Sequence, residues 1–219
     1  MKDFDRNGLM SILSQGAQDL SLQLSEKQIT RLMDYLALLS KWNAVYNLTA
    51  VRDPVQMVSQ HLLDSLAAVS AFADAQNVLD VGAGGGLPGI VLAIWAAEAQ
   101  PAMQISMIDT VHKKTAFLTQ VKAELNLTNV QVYTARVEEW QAPQKFDVIT
   151  SRAFADLFDF IGWTAHLLAE KGRYIALKGI APDVEISKLP STWKTTEVRA
   201  LHVPTLQAER HLIFIEKAA

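Results

Sequence analysis

Cysteine is absent from this sequence, which excludes disulfides, thiolate-ligated metal and any mechanism that begins with a thiol nucleophile. The five histidines, at 61, 112, 166, 202 and 211, keep no paired ligand spacing, so no metal is expected. Long hydrophobic runs are missing too. The longest, Ile90 to Ala97, is too short to cross a bilayer. The opening Met1-Lys2-Asp3-Phe4-Asp5-Arg6 is too acidic for a secretory leader, and a cytoplasmic protein with no membrane partner is expected. Positive charge is not in excess: the net charge of −3 argues against a protein that coats nucleic acid without specificity. Internal repeats and low-complexity segments are also lacking. With 219 residues, half of them hydrophobic, one substantial core with a small appended unit is expected, not two full domains.

Against these absences stands one concentrated feature. Four of the ten glycines, Gly82, Gly84, Gly85 and Gly86, fall in a single turn after the apolar Val78-Leu79, and a fifth, Gly89, precedes the run that starts at Ile90. Strand, glycine turn and helix in that order call for positive φ angles and a backbone that meets a ligand with no side chain between them. Nicotinamide, flavin and S-adenosylmethionine enzymes all use such a turn, and Gly84-x-Gly86-x-x-Gly89 reads in one register as a dinucleotide fingerprint. Two details oppose that reading. Asp80 stands two residues before the first glycine, and a carboxylate beside a pyrophosphate costs roughly 4 kcal/mol per charge pair at an effective dielectric near ~20. Pro88 falls where the incoming helix would offer N–H groups to phosphate, and proline has none. S-adenosylmethionine carries an ammonium and a sulfonium and no phosphate. Asp80-x-Gly82-x-Gly84-x-Gly86 therefore reads as an acidic-glycine turn that holds its methionine part.

A second carboxylate points to the same site. Asp109 ends the apolar strand Gln104 to Ile108, 27 residues after Gly82, where an acid at the tip of the second strand of a βαβ unit accepts from both ribose hydroxyls. Taken alone, Asp109 would be a cap for the helix that starts near His112; its spacing to the glycine turn favours the ribose.

Residues 1–75 read as a helical subdomain. Ser25-x-x-Gln28 is a capping box ahead of Ile29, Leu32, Met33, Leu36 and Leu39 on one face, and Asp53-Pro54-x-Gln56 opens a helix that runs to about Phe72. Between them, residues 42–52 mix two aromatics with two asparagines, either as a packed loop or as a substrate contact. From 76 to 219 strands alternate with helices: strands at 77–82, 104–109, 130–134, 146–151, 172–178, 196–203 and 210–217, helices at 88–99, 112–126 and 155–170. Only six residues, 204–209, join the last two strands, too few for a crossover helix, so they pair antiparallel. The fold class is thus α/β, Rossmann-like, with a seven-stranded mixed sheet and an N-terminal helical extension packed as one globular unit. A parallel sheet closed by an antiparallel hairpin is the methyltransferase form of that class.

The other strand ends complete the expected pocket. Val137 and Glu138 follow the third strand and are placed to address an adenine. Ser151-Arg152-Ala153-Phe154 ends the fourth, where exocyclic-amine methylases carry an Asn/Asp-Pro-Pro-aromatic turn that is not found here. Covalent carbon methylation is excluded with cysteine. What remains is a nucleophile that needs no base, such as guanine N7, for which alignment and desolvation suffice. Arg152 and Lys178 would position its phosphate or O6 edge, and an Arg152 role against the adenosine is an equal reading. Lys113, Lys114, Arg136, Arg152 and Lys178 follow strands near the ligand-bearing end, as a basic rim for RNA or as solvated surface cations.

Seven blocks carry a resemblance that spans nearly the whole chain: Trp42-Asn43-x-x-Tyr46-Asn47-Leu48-Thr49, His61-x-x-Asp64-Ser65, Asp80 to Gly89, Arg136-Val137-Glu138, Ser151-Arg152-Ala153, Ala176-Leu177-Lys178-Gly179 and Glu209-Arg210-His211. In this order the chain resembles the bacterial 16S rRNA guanine-N7 methyltransferases also called the glucose-inhibited division protein B family. The resemblance implies transfer of a methyl group from S-adenosyl-L-methionine, leaving S-adenosyl-L-homocysteine, to N7 of one guanine in 16S rRNA. The substrate would be the small ribosomal subunit or an assembly intermediate, and the protein a monomer. It implies cofactor contacts at Gly82, Leu87, Asp109, Val137, Glu138 and Arg152, beside the Asp80, Gly84 and Gly86 read from the turn, and RNA-facing roles for Arg136 and Lys178. The alternatives are a methyltransferase of a small molecule or protein, a nicotinamide-dependent reductase, and a non-catalytic adenosyl-binding regulator.

Overall fold

The computed structural model describes residues 4–218. Met1, Lys2 and Asp3 of the acidic opening, and Ala219, lie outside the described residues. Two helices come first, α1 (Arg6–Asp19) and α2 (Glu26–Tyr46). The capping box at the start of α2 forms as its spacing predicts: the Gln28 N–H donates to Ser25 Oγ and the Ser25 N–H to Gln28 Oε1. Asp53 caps α3 (Pro54–Met57) through the Val55 N–H, with proline in the first turn. The helix expected to continue to Phe72 does not run unbroken. It passes through a π-helical stretch at Val58–Leu63, resumes as α4 (Asp64–Leu66) and closes in a 3₁₀ turn at Val69–Phe72.

The strands β1 (Asn77–Val81), β2 (Gln104–Asp109), β3 (Val130–Thr134), β4 (Phe146–Arg152), β5 (Leu168–Lys178), β6 (Trp193–Ala200) and β7 (His211–Lys217) form one sheet in the order β3-β2-β1-β4-β5-β7-β6. The first five are parallel and β7 runs antiparallel to both β5 and β6, as the short connection requires. Side chains alternate between two buried faces. Val78, Ile105, Met107, Val148, Ile175, Leu212 and Phe214 join the core shared with α1, α2, α5 (Gly89–Ala99) and α6 (His112–Glu124). Leu79, Val81, Ile108, Ile149, Tyr174, Ala176, Ile213 and Ile215 face the other side, covered by α7 (Leu157–Thr164). Leu32, Leu36 and Leu39 of α2 are fully buried in the first core, and each such leucine contributes roughly 1.5–3 kcal/mol.

Three boundaries differ from the sequence reading. The helix expected at 155–170 stops earlier because Leu168 already pairs with Phe146, and a register shift follows around Gly172, where a Cβ would meet Phe146 O at 2.9 Å. β6 lies three residues earlier than expected, held at its start by Trp193, whose ring stands 5.3 Å edge-on to Tyr174. A short helix, α8 (Asp183–Ser187), has no buried residue and hence no apolar period to announce it.

Candidate active site

The strand order reverses at β1, between β2 and β4, and the crevice at their carboxyl ends is where an open α/β sheet takes a ligand. The glycine turn fills that place. Gly82, Gly84 and Gly86 all have positive φ, at 66°, 54° and 90°. At Gly82 a Cβ would stand 2.3 Å from the Phe154 ring. The N–H groups of Gly82 and Ala83 donate to Ile108 O, and the Gly84 N–H to Asp109 Oδ2 at 3.0 Å, so the turn is tied to the end of β2.

The start of α5 has few N–H groups to offer a phosphate. Pro88 has none, the Gly89 N–H is taken by Asp80 Oδ2 at 2.9 Å, and the Ile90 N–H goes to Gly86 O. This corrects the placement of Asp80. Strand alternation turns its side chain under α5, fully buried, where Gly89 leaves room for it: a Cβ there would lie 2.7 Å from the carboxylate. Burial pushes the Asp80 carboxyl up to about 7, against the opposing pull of the Gly89 N–H and Arg152, and Oδ1 has no partner among the described residues.

Two cavities open above the strand ends. The first, of about 260 Å³, is lined by Gly82, Asp109, Lys114, Val137, Glu138 and Phe154 among others. Asp109 Oδ1 accepts the Val111 N–H just before α6, and the residue also lines the cavity, with Lys114 Nζ 3.4 Å from Oδ2. Its remaining lone pairs, with Val137 and Glu138 opposite, suit a ribose and an adenine. Glu138 is held below the usual carboxylate range by its own backbone N–H first and by Arg136 next. Gly84 and Gly86 shape the turn without lining the cavity, and Leu87 is buried. Lys113 is exposed and outside the lining, whereas Arg136 stands at the rim, 2.7 Å from Glu138.

The second cavity, of about 380 Å³, is lined by His61, Asp64, Arg152, Ala153, Lys178 and Arg210 among others. Ala153 lines both cavities, in the left-handed region at φ 53°, a strained conformation for a residue with a Cβ and one that clusters at functional sites. Asp64 organises the second cavity. One carboxylate oxygen takes Arg152 Nη1 at 3.0 Å and the other takes Arg210 Nε at 2.8 Å. Arg152 Nη1 also donates to Gln60 O in the π-helical stretch. Lys178 Nζ is held by Ala155 O and by Glu185 of α8 at 2.8 Å. Burial, and then Arg152, push His61 down to about 4, so its ring is neutral at pH 7; Nε2 meets Thr49 Oγ1 at 2.9 Å.

Sequence reasoning on charge and spacing therefore found the first cavity and two residues of the second, Arg152 and Lys178. It missed Gln60, His61, Asp64 and Arg210 as site residues. Their signal was present in the blocks His61-x-x-Asp64-Ser65 and Glu209-Arg210-His211, which no local motif explains. Of the stretch 42–52, residues 42–46 end α2 and residues 47–52 form a packed loop that also reaches the site. Asn43 staples it, donating to Val51 O and accepting from the Thr49 N–H, and Thr49 holds His61.

Residues 28–213 match the family described as rRNA small subunit methyltransferase G. The chain belongs to that family. It is 79% identical over 217 residues to the ribosomal RNA small subunit methyltransferase G of Janthinobacterium sp. (strain Marseille), covering 99% of each chain. It is 53% identical to the protein of the same name from Burkholderia pseudomallei (strain 1106a), covering 96% of this chain and 92% of that one. Membership makes it an S-adenosylmethionine-dependent methyltransferase. Solved structures at low identity share the fold alone. A putative O-methyltransferase from Klebsiella pneumoniae gives a TM-score of 0.58 at 12% identity over 98% of this chain and 99% of that one. The N-methyltransferase NodS from Bradyrhizobium japonicum WM9, solved with S-adenosyl-L-homocysteine, gives 0.56 at 11% identity over 82% and 100%.

Proposed function

We propose that this enzyme methylates N7 of a single guanine in 16S rRNA, acting in the cytoplasm as a monomer on the small ribosomal subunit or an assembly intermediate. The observation that carries the proposal is the pair of adjoining cavities that share Ala153, one suited to an adenosyl group and the other lined by Arg152, Lys178 and Arg210. The residues of the first cavity fit the methyl donor. Asp109 would hold its ribose and Val137 with Glu138 its adenine, while Gly82 admits it beside Phe154. Pro88 has no N–H and those of Gly89 and Ile90 are already engaged, which weighs against a pyrophosphate cradle and a nicotinamide cofactor.

The second cavity is built to place a nucleophile, not to activate one. Both Asp64 oxygens are engaged by arginines, and His61 is a weak base. Guanine N7 needs neither, because its lone pair already lies in the ring plane. Bound in the first cavity, the donor would supply an electrophilic methyl, with the N7 lone pair forming the new C–N bond as the C–S bond broke and its electron pair left with sulfur. Positive charge passes to the purine, so no proton moves in the step. Arg152 and Lys178 hold the O6 edge or flanking phosphate, and their alignment of N7 is the main catalytic contribution. Arg136 and Lys114 stand at the rim for RNA contact.

The test is transfer of a labelled methyl to small subunits and to deproteinised rRNA, followed by chemical cleavage at N7-methylguanine. One new cleavage site in 16S rRNA is the expected outcome. Label on protein or small molecules only, or binding of NADH in place of the methyl donor, would overturn the proposal.

A further inference from the structure

We infer that Tyr35 is a positioning residue for the methyl donor, through which the N-terminal helices hold the glycine turn in its binding conformation; the inference rests on the cofactor reading above. Tyr35 lines neither cavity. It sits in α2, fully buried, and its hydroxyl donates to Gly85 O at 2.6 Å. Burial pushes its phenol above the usual range, so it stays a donor at any working pH. Leu39, one helical turn on, approaches to 3.2 Å of where a Gly85 Cβ would be, and Leu48 O to 3.8 Å. The helical unit therefore backs the turn directly.

The turn needs such backing. Gly84-Gly85-Gly86 is a run of three glycines, and no other residue resists rotation of its peptide planes less. The Gly85–Gly86 peptide leads into Gly86, whose φ is positive, and is fixed at both ends: its carbonyl by Tyr35, and its N–H by Ala83 O at 2.6 Å. The Gly84 N–H before it is fixed by Asp109, the residue assigned to the ribose. Without the Tyr35 hydroxyl, that peptide is held at one end only. The turn, of which Gly82 lines the first cavity, then samples orientations that do not accept the donor, and apparent affinity falls in proportion to the competent fraction.

Calorimetric titration of the full chain with S-adenosylmethionine and with S-adenosylhomocysteine tests this. Tyr35→Phe should raise both Kd values about three- to tenfold, the worth of one hydrogen bond, with the KM for rRNA unchanged. Tyr174→Phe is the matched control. Tyr174 is as buried, and its hydroxyl accepts from Thr164 at 3.2 Å on the other face of the sheet; its loss should leave donor affinity unaltered. If Tyr35→Phe fails to fold, Gly85→Ala presses the turn away from Leu39 with no positive φ to strain, and the same loss of affinity is expected. Wild-type affinity in Tyr35→Phe or Gly85→Ala, or an equal loss in Tyr174→Phe, overturns the inference alone. Absence of heat with the wild-type chain overturns the cofactor reading and the inference together.

Discussion

Asp80 has one carboxylate oxygen on the Gly89 N–H and the other without a partner among the described residues, in the core beneath α5. Its proton therefore couples stability to pH. The folded chain holds that proton up to about 7, while the unfolded chain releases it near the ordinary aspartate value of 3.8, so rising pH between those values favours the unfolded chain. His61 acts in the opposite direction. The unfolded imidazole takes a proton at 6.5 and the folded one only at about 4, so stability is lost as pH falls through that window. The two effects offset one another in the wild type. Asp80→Asn keeps an acceptor for Gly89 and removes only the first effect. Relative to wild type, its stability to urea should improve as pH rises from about 4 to about 7; a stability difference that does not change with pH would show that Asp80 does not titrate in this window.

The π-helical stretch at Val58–Leu63 is the element on which the second cavity depends. π-helical turns are frequent at functional sites, and this one directs the Gln60 carbonyl and, just beyond it, the Asp64 carboxylate to Arg152. Asp64 has 4% side-chain exposure, against 22% for Arg152 and 25% for Arg210, so its charge keeps two guanidinium groups together with little help from water. Asp64→Asn leaves the shape and removes the charge. It should lower stability by about 1–3 kcal/mol and reduce turnover, with donor affinity retained. Equal turnover in the variant would mean that the arginines are placed by other contacts. This element also marks the limit of what the sequence discloses. The glycine turn, Asp109 and Val137-Glu138 belong to successive βα units, so spacing alone brings them together. Gln60 with Asp64, Arg152 and Arg210 come from three separate places, with Asp64 and Arg210 146 residues apart. Nothing between Val55 and Phe72, where there is neither glycine nor proline, signals that the helix changes its winding. The strand pattern was legible because both faces of the sheet are buried. The edges of β5, β6 and α7 were not, because a register shift and a single tryptophan contact set them.

At the scale of the molecule, the proposed function asks a chain of net charge −3 to bind a polyanion through a site in which each cation already has a carboxylate at hand. Arg152 and Arg210 share Asp64, Lys178 meets Glu185, Lys114 meets Asp109 and Arg136 meets Glu138. Such a surface gives weak attraction to RNA at long range and reserves its charge for a nucleotide that enters the second cavity. Counterion release should then be small. For the three cations that line that cavity, at about 0.7 per single-strand contact, log affinity for unmethylated small subunits should fall against log salt with a slope near about −2. Raising salt from about 50 to about 200 mM would weaken binding on the order of fifteenfold. Arg210→Ala should make the slope shallower by about 0.7 without altering donor affinity. A filter-binding or sedimentation titration across that range measures both. A loss of about a thousandfold or more would place the main RNA contact on a basic surface outside the two cavities, and an unchanged slope in Arg210→Ala would remove Arg210 from the substrate site.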